Sequence, residues 1–185
     1  DSQDDAPLGH VVKVLGQEGD NDVEMHAILA EYGLPLEFPP EVEQEAQQFI
    51  PSAKSKVGLD KKEIAKRRDM RDVLTMTIDP ADAKDFDDAV CLVESNGRRT
   101  LWVGIADVAH YVRPSTTLDA SARNRATSVY LPHAVLPMLP PKLADDLCSL
   151  RANVPRLAMV IEMKLDENMT LIESKAHEAV IDVKE

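Results

Sequence analysis

The chain has 185 residues, 44 % of them hydrophobic, and its 33 acidic against 21 basic side chains give a formal net charge of −12. That length and apolar content suffice for a compact core, while no apolar stretch approaches the roughly 18 residues of a bilayer span and no signal-peptide pattern is visible, which excludes a membrane helix. Two cysteines, Cys91 and Cys148, cannot build a disulfide framework and read as reduced core residues of a cytoplasmic protein, and the acidic balance is the wrong sign for a surface that grips a polyanion.

In chain order, Pro39-Pro40 opens a helix over 39–50, with Glu41, Glu43 and Glu45 early and Val42, Ala46, Phe49 and Ile50 on one face. Asp60 and Glu63 have the spacing of a capping box for a second helix, with Leu59 and Ile64 as its hydrophobic staple. Positive charge concentrates at Lys54, Lys56, Lys61, Lys62, Lys66, Arg67, Arg68 and Arg71, which suits either a solvated helix face or a nucleic-acid contact. Residues 73–78 alternate and are rich in β-formers, so they predict a strand that delivers Asp79 at its end, where Pro80 stops the ladder. Residues 89–93 and 101–106 are two further strands, joined through Asn96-Gly97 as a type I′ hairpin. Residues 119–125 and 142–150 read as helices, and 157–165 with 169–174 as a hairpin across 166–168. There is no internal repeat, glycine-rich phosphate loop or low-complexity tract.

The most informative run is 77–90, which places Asp79, Asp82, Asp85, Asp87 and Asp88 within ten residues. At an effective dielectric near 20, two carboxylates about 4 Å apart repel by about 4 kcal/mol, so a fold that gathers several must solvate them, protonate them or supply a cation. A solvated acidic loop meets that requirement, and so does a metal ion. Strands at both ends favour the second, since they make a preorganised site. All-oxygen anionic donors suit Mg²⁺ or Mn²⁺, with no Cys/His pair at zinc spacing to compete. Ions held by carboxylates with open coordination positions serve phosphodiester cleavage. A calcium loop counted from Asp85 fails, because Ala89, Val90 and Asn96 fall where a ligand, the turn glycine and the bidentate Glu belong. An aspartyl-phosphate Asp-x-Asp would follow its strand directly, whereas six residues separate Asp79 from Asp85. Asp87 and Asp88 are adjacent on an extended segment and so need not do the same job.

The run 79–89, Asp-Pro-Ala-Asp-Ala-Lys-Asp-Phe-Asp-Asp-Ala, resembles the signature of the ribonuclease II/R family. The resemblance continues through Val-Gly-Ile-Ala-Asp-Val-Ala-His-Tyr-Val at 103–112, Arg-Ala-Thr-Ser-Val-Tyr-Leu-Pro at 125–132, Pro-Met-Leu-Pro at 137–140 and Leu-Cys-Ser-Leu at 147–150. It implies an α+β fold: the amino-terminal half of an RNB catalytic domain, a mixed sheet with flanking helices, over 71–185. Residues 1–35 then resemble the carboxyl-terminal remnant of an OB-type cold-shock domain, and 36–70 a helical connector. The implied activity is processive 3′-to-5′ hydrolysis of single-stranded RNA to nucleoside 5′-monophosphates with Mg²⁺, Mn²⁺ substituting. By the same resemblance Asp79, Asp85, Asp87 and Asp88 are catalytic, Asp79, Asp85 and Asp88 hold metal, Asp87 serves cleavage and Tyr130 packs on a base of the RNA. Asp82 is implied to be a loop or capping carboxylate. His110 and Tyr111 are expected to be structural or RNA-lining, and Tyr130 alone would read as a core aromatic.

The wording departs from the family at Ala126, where many members have Gly, at Asp145, where many have Asn, and at Arg151-Ala152, where Asn-Pro is usual. Residues 145–153 are closer to the ribonuclease II branch and the aspartate run to the ribonuclease R branch. An acidic Asp145 could alter substrate grip or sit on a helix surface. The resemblance places the family's phosphate-contacting arginine and second clamping aromatic beyond residue 185, so the 185-residue chain alone is expected to be weak or inactive. A monomer without small-molecule cofactor is expected. The competing reading is a catalytically silent RNA-binding or regulatory protein that keeps the fold.

Overall fold

A computed structural model of the chain describes residues 9–12, 14–17, 19, 21–49, 59–131 and 134–184, in two compact units, 1–37 and 38–185. Of the sequence expectations, part of the cold-shock resemblance (1–8, 13, 18 and 20), the helix residue Ile50, the basic residues Lys54 and Lys56, and Pro132 lie outside the described residues.

Among its described residues the first unit contains one helix, α1 (Asn21–Glu31). Its end is a Schellman closure: the Leu34 amide donates to the Leu29 carbonyl at 2.8 Å and the Gly33 amide to that of Ala30 at 3.1 Å, with Gly33 at φ +65°. Glycine takes that φ without a Cβ penalty, and Pro35 then prevents continuation.

The second unit is a mixed α+β fold. It begins with α2 (Pro40–Gln47), α3 (Lys61–Ile64) and β1 (Arg68–Asp69). The hairpin strands β2 (Asp88–Ser95) and β3 (Arg98–Ala106) follow, then α4 (Val108–Tyr111) and α5 (Thr117–Arg125). A small ribbon of β4 (Val129–Tyr130) and β5 (Val135–Leu136) leads to a π-helical turn (Leu143–Leu147), and β6 (Arg156–Leu165) with β7 (Leu171–Ile181) complete the chain. The main sheet runs β1-β7-β6-β3-β2, antiparallel except for the parallel β1–β7 pair. Leu118, Leu143, Leu150, Val160, Ile181 and Val183 are almost wholly buried, so the core lies between the central strands, α5 and the π turn.

The predicted hairpin at Asn96-Gly97 is present: Ser95 pairs with Arg98, and φ is 53° and 72° at the two turn residues. The predicted helix at 39–50 forms as α2, whose Glu45 carboxylate accepts hydrogen bonds from the Thr117 hydroxyl and, at 3.0 Å, the Leu118 amide at the start of α5.

Three local expectations need correction. The strand expected over 73–78 is reduced to one bridged pair, Met76 with Val90: Leu74 and Ile78, the positions that would continue that ladder, are exposed and pack on nothing that would hold them, while the Thr75 carbonyl on the other edge accepts from the Lys184 amide at 3.0 Å. The capping box at Asp60 is half made: Asp60 accepts from the Lys62 amide at 2.9 Å, but the Glu63 carboxylate turns to Arg67 at 2.9 Å. The second strand of the last hairpin starts at Leu171, since Asp166 accepts from the amides of Asn168 (2.8 Å) and Thr170 (2.9 Å) and withdraws 169–170 from the ladder.

Candidate active site

The aspartate run is fixed to the fold at alternate points. Met76 and Val90 exchange backbone hydrogen bonds of 3.0 and 2.8 Å, which ties the segment entering Asp79 to the edge of β2. Pro80 then opens a turn closed by the Ala83 amide at 3.0 Å. The Phe86 ring packs on the core, and its carbonyl accepts from the Leu150 amide at 2.9 Å. The Asp87 carbonyl accepts from the Ala106 amide at 2.9 Å, and Asp88 is the first residue of β2, opposite Ile105. Phe86 and buried Ala89 thus bracket two exposed aspartates, Asp87 and Asp88, an in-out-out-in pattern that departs from the strict alternation of extended chain where the loop enters β2.

Asp79, Asp82, Asp85, Asp87 and Asp88 all line one cleft of about 910 Å³, together with Tyr130 and Asp145. Among the described residues lining it, Lys84 supplies the positive charge. The exposed Tyr130 sits on the β4–β5 ribbon, and its hydroxyl donates to Asp85 Oδ2 at 2.5 Å. Tyr130 is therefore a cleft residue, not the core aromatic that the chain pattern alone suggests. The four predicted aspartates come together here. Asp82 lines the same cleft, so placement does not set it apart from them.

Electrostatics carry the marks of crowding. The Asp87 carboxyl is held above the ordinary aspartate value, first by withdrawal from water and then by the like charges of Asp85, Asp88 and Asp79. Asp145 is raised by burial and by Asp85, against a smaller opposing effect of Lys84. The Tyr130 hydroxyl is pushed up chiefly by its hydrogen bond to Asp85. The donor set is all oxygen and anionic, which fits a hard divalent cation. Among the described residues no three acidic, histidine or cysteine side chains converge closely enough to hold an ion. Asp79, Asp85 and Asp88 thus remain candidate ligands through their chemistry and shared cleft.

Other predicted candidates lie elsewhere. His110 and Tyr111, on α4, are not among the cleft-lining residues; Tyr111 is buried edge-on to Phe49 with ring centroids 5.5 Å apart. In the basic stretch, Arg67 pairs with Asp107 (2.7 Å) and Glu63 (2.9 Å), Arg68 with Glu162 (2.6 Å) and Arg71 with Asp69 (2.5 Å). Those guanidinium groups neutralise the protein's own acids, and none lines the cleft. The residue that sequence reasoning missed is Ser149, whose hydroxyl bonds the backbone on both sides of Asp85. Its one signal is a hydroxyl within the apolar run 147–150.

Comparison with known proteins matches residues 67–185 to the RNB domain and residues 1–39 to the cold shock domain. The chain belongs to the RNB-domain family. Ribonuclease R of Escherichia coli (strain K12) is 45 % identical over 175 residues, 94 % of this chain and 21 % of that protein. Ribonuclease R of Acidithiobacillus ferrooxidans is 47 % identical over 161 residues, 86 % of this chain and 35 % of its own length. Among solved structures, Mycoplasma genitalium RNase R in complex with ribose-methylated single-stranded RNA superposes with a TM-score of 0.84 at 34 % identity, covering 93 % of this chain and 26 % of that one. This RNB-domain chain therefore spans about a fifth to a third of the length of these relatives. Among its described residues no helix is long and apolar enough to cross a membrane.

Proposed function

We propose that these residues form the acidic half of the active site of a 3′-to-5′ exoribonuclease that degrades single-stranded RNA processively to nucleoside 5′-monophosphates. The observation that carries the reading is the cleft that six aspartates, five of them from the run 79–88, line together with an exposed tyrosine. Its similarity to proteins named ribonuclease R, one captured with ribose-methylated single-stranded RNA, supports the same substrate class.

Asp79, Asp85 and Asp88 would hold Mg²⁺, or Mn²⁺ in its place. When bound, such an ion would supply polarisation of the phosphate and a lowered pKa for an attacking water. Asp87, raised by withdrawal from water and then by its acidic neighbours, is suited to accept a proton from that water. The new bond joins the water oxygen to phosphorus, and the bond to the 3′ oxygen of the penultimate nucleotide breaks. That oxygen takes a proton from solvent, and the terminal nucleotide leaves as a 5′-monophosphate. The Tyr130 ring offers a sequence-tolerant stacking surface, worth about 1–3 kcal/mol per base.

The test uses 5′-labelled single-stranded RNA, with Mg²⁺ or EDTA, and two proteins: the 185-residue chain and a protein of the relatives' length that carries it. The long protein should shorten the RNA from its 3′ end only with Mg²⁺, and Asp87→Asn should bind RNA without cutting it. The short chain should be weak or inactive. A long protein that binds RNA in Mg²⁺ and leaves it intact points to the silent RNA-binding alternative. Shortening that survives Asp87→Asn refutes the assignment of the chemistry.

A further inference from the structure

Ser149 is 1 % exposed in a run of buried residues, and its hydroxyl is fully engaged. It donates to the Lys84 carbonyl at 2.6 Å and accepts from the Phe86 amide at 3.1 Å. With the Leu150 amide on the Phe86 carbonyl at 2.9 Å, residues 149–150 make three hydrogen bonds to the backbone that brackets Asp85. Ser149 is itself held from behind. Its carbonyl accepts from Arg156 Nε at 3.0 Å, and Arg156 Nη2 donates to Asp146 Oδ1 at 2.8 Å. Arg156 is buried, so this fastening is shielded from water.

The preceding turn explains how the serine comes to face that way. The Cys148 amide donates to the Leu143 carbonyl at 2.8 Å, a step of five residues. Relative to an α-helix, the one extra residue rotates the next side chains by about 100° around the axis. The π turn thereby presents Ser149 to the aspartate loop while Leu147 and Leu150 stay in the core.

We propose that Ser149 is a positioning residue for the cleft: it straps the backbone on both sides of Asp85 and so sets the divalent-cation affinity of the aspartate run. The proposal rests on the reading of the cleft as a cation site. Mg²⁺ demands near-ideal geometry at about 2.0–2.1 Å, so a small drift of the Asp85 backbone is enough to spoil a ligand position. Ser149 touches no carboxylate in the cleft; its effect passes through the peptide groups of residues 84–86.

The test is Mn²⁺ binding to the 185-residue chain, read as loss of the free-ion signal in electron paramagnetic resonance, with amide exchange and melting measured on the same samples. Ser149→Ala should bind Mn²⁺ about 10- to 100-fold more weakly, the usual cost of removing support behind a ligand. Exchange at the Phe86 amide should quicken about tenfold or more, since that donor loses its partner. In an Asp85→Asn background the further loss on adding Ser149→Ala should stay within about twofold, because residues acting through one another are not additive. If Ser149→Ala does not fold, Ser149→Cys, similar in size with a weak donor, carries the same comparison. Mn²⁺ binding by Ser149→Ala within twofold of the unmodified chain, or losses that multiply with Asp85→Asn, overturns the proposal. An unmodified chain that takes up no Mn²⁺ removes the cation reading and the strap proposal together. Weaker binding in Asp79→Asn but not in Ser149→Ala removes the strap alone.

Discussion

Arg67 is the perturbation with the largest expected structural cost. Its side chain is 3 % exposed and its Nη1 lies 2.7 Å from Asp107 Oδ2, on a side chain 8 % exposed. That Nη1 has no aligned hydrogen bond, so the contact is an ion pair. Breaking a buried pair by removing one partner costs about 3–5 kcal/mol, because the other charge stays buried without compensation. Asp107 keeps the His110 amide at 3.2 Å as N-cap of α4, which favours the lower end of that range. The contact with Glu63, whose side chain is 20 % exposed, adds about 0.5 kcal/mol. Arg67→Met, which preserves the aliphatic stem, should therefore lose about 3–4 kcal/mol, or about 6–16 °C in Tm at about 2–4 °C per kcal/mol. Urea unfolding followed by Trp102 fluorescence measures it as a lower midpoint at constant slope. Adding Asp107→Asn removes the orphaned charge, leaves a capping oxygen and should recover at least half of the loss. A cost for Arg67→Met below about 1 kcal/mol, or a double variant no more stable than the single, refutes the reasoning.

Further outcomes concern the cleft and the end of α5. Because Asp87 has a folded-state value above 3.8, its protonated form favours the fold: the contribution is intact below pH 3.8 and lost as pH rises through the raised value. Without divalent cations, Asp87→Asn should thus melt higher than the unmodified chain at pH 7, with the gap closing toward pH 3.8 in calorimetry; a pH-independent gap contradicts the sign. Tyr130→Phe removes the donor to Asp85 but keeps the exposed ring, so stability should change by less than about 0.5 kcal/mol and single-stranded RNA affinity, by fluorescence anisotropy, by less than about twofold. Tyr130→Ala should lose about 1–3 kcal/mol of RNA binding. Ala126 sits at the C-cap of α5 with φ 64°, and Ala126→Gly should relieve that strain and stabilise the chain by about 1 kcal/mol in urea unfolding.

The aspartate run was legible because its neighbours announce their own structure. Asn96-Gly97 is a short-range turn signal, so β2 and β3 can be read from local sequence, although both run further than the expected 89–93 and 101–106. The helix α2 is equally local, opened by Pro39-Pro40. The partners of 73–78 are distant: the segment keeps a single bridged pair with β2, and its Thr75 carbonyl meets the Lys184 amide, about 110 residues away, which no window of sequence contains. The same holds for the basic stretch, whose arginines find acids at Asp107 and Glu162 only after folding. Tyr130 reads as core by type and is placed in the cleft by a two-residue ribbon too short to have a period. Ser149 was overlooked because a hydroxyl in an apolar run carries no indication of which distant backbone it will meet.

The attachments of the acidic residues differ along the run, and that gives the cleft a stationary wall and a compliant one. Asp88 belongs to a ladder that continues for the length of β2, so shifting it would mean disturbing a sheet. Asp79 follows a mostly exposed segment pinned by one bridged pair with β2 and by the Lys184 amide on its Thr75 carbonyl, so moving it disturbs a few hydrogen bonds and no sheet. Whatever occupies the space between them will be measured against the sheet side, while the Asp79 arm adjusts its reach. The entropy lost on closing the site therefore falls on the arm, and changes at 73–78 should alter how tightly the cleft grips without altering where it holds.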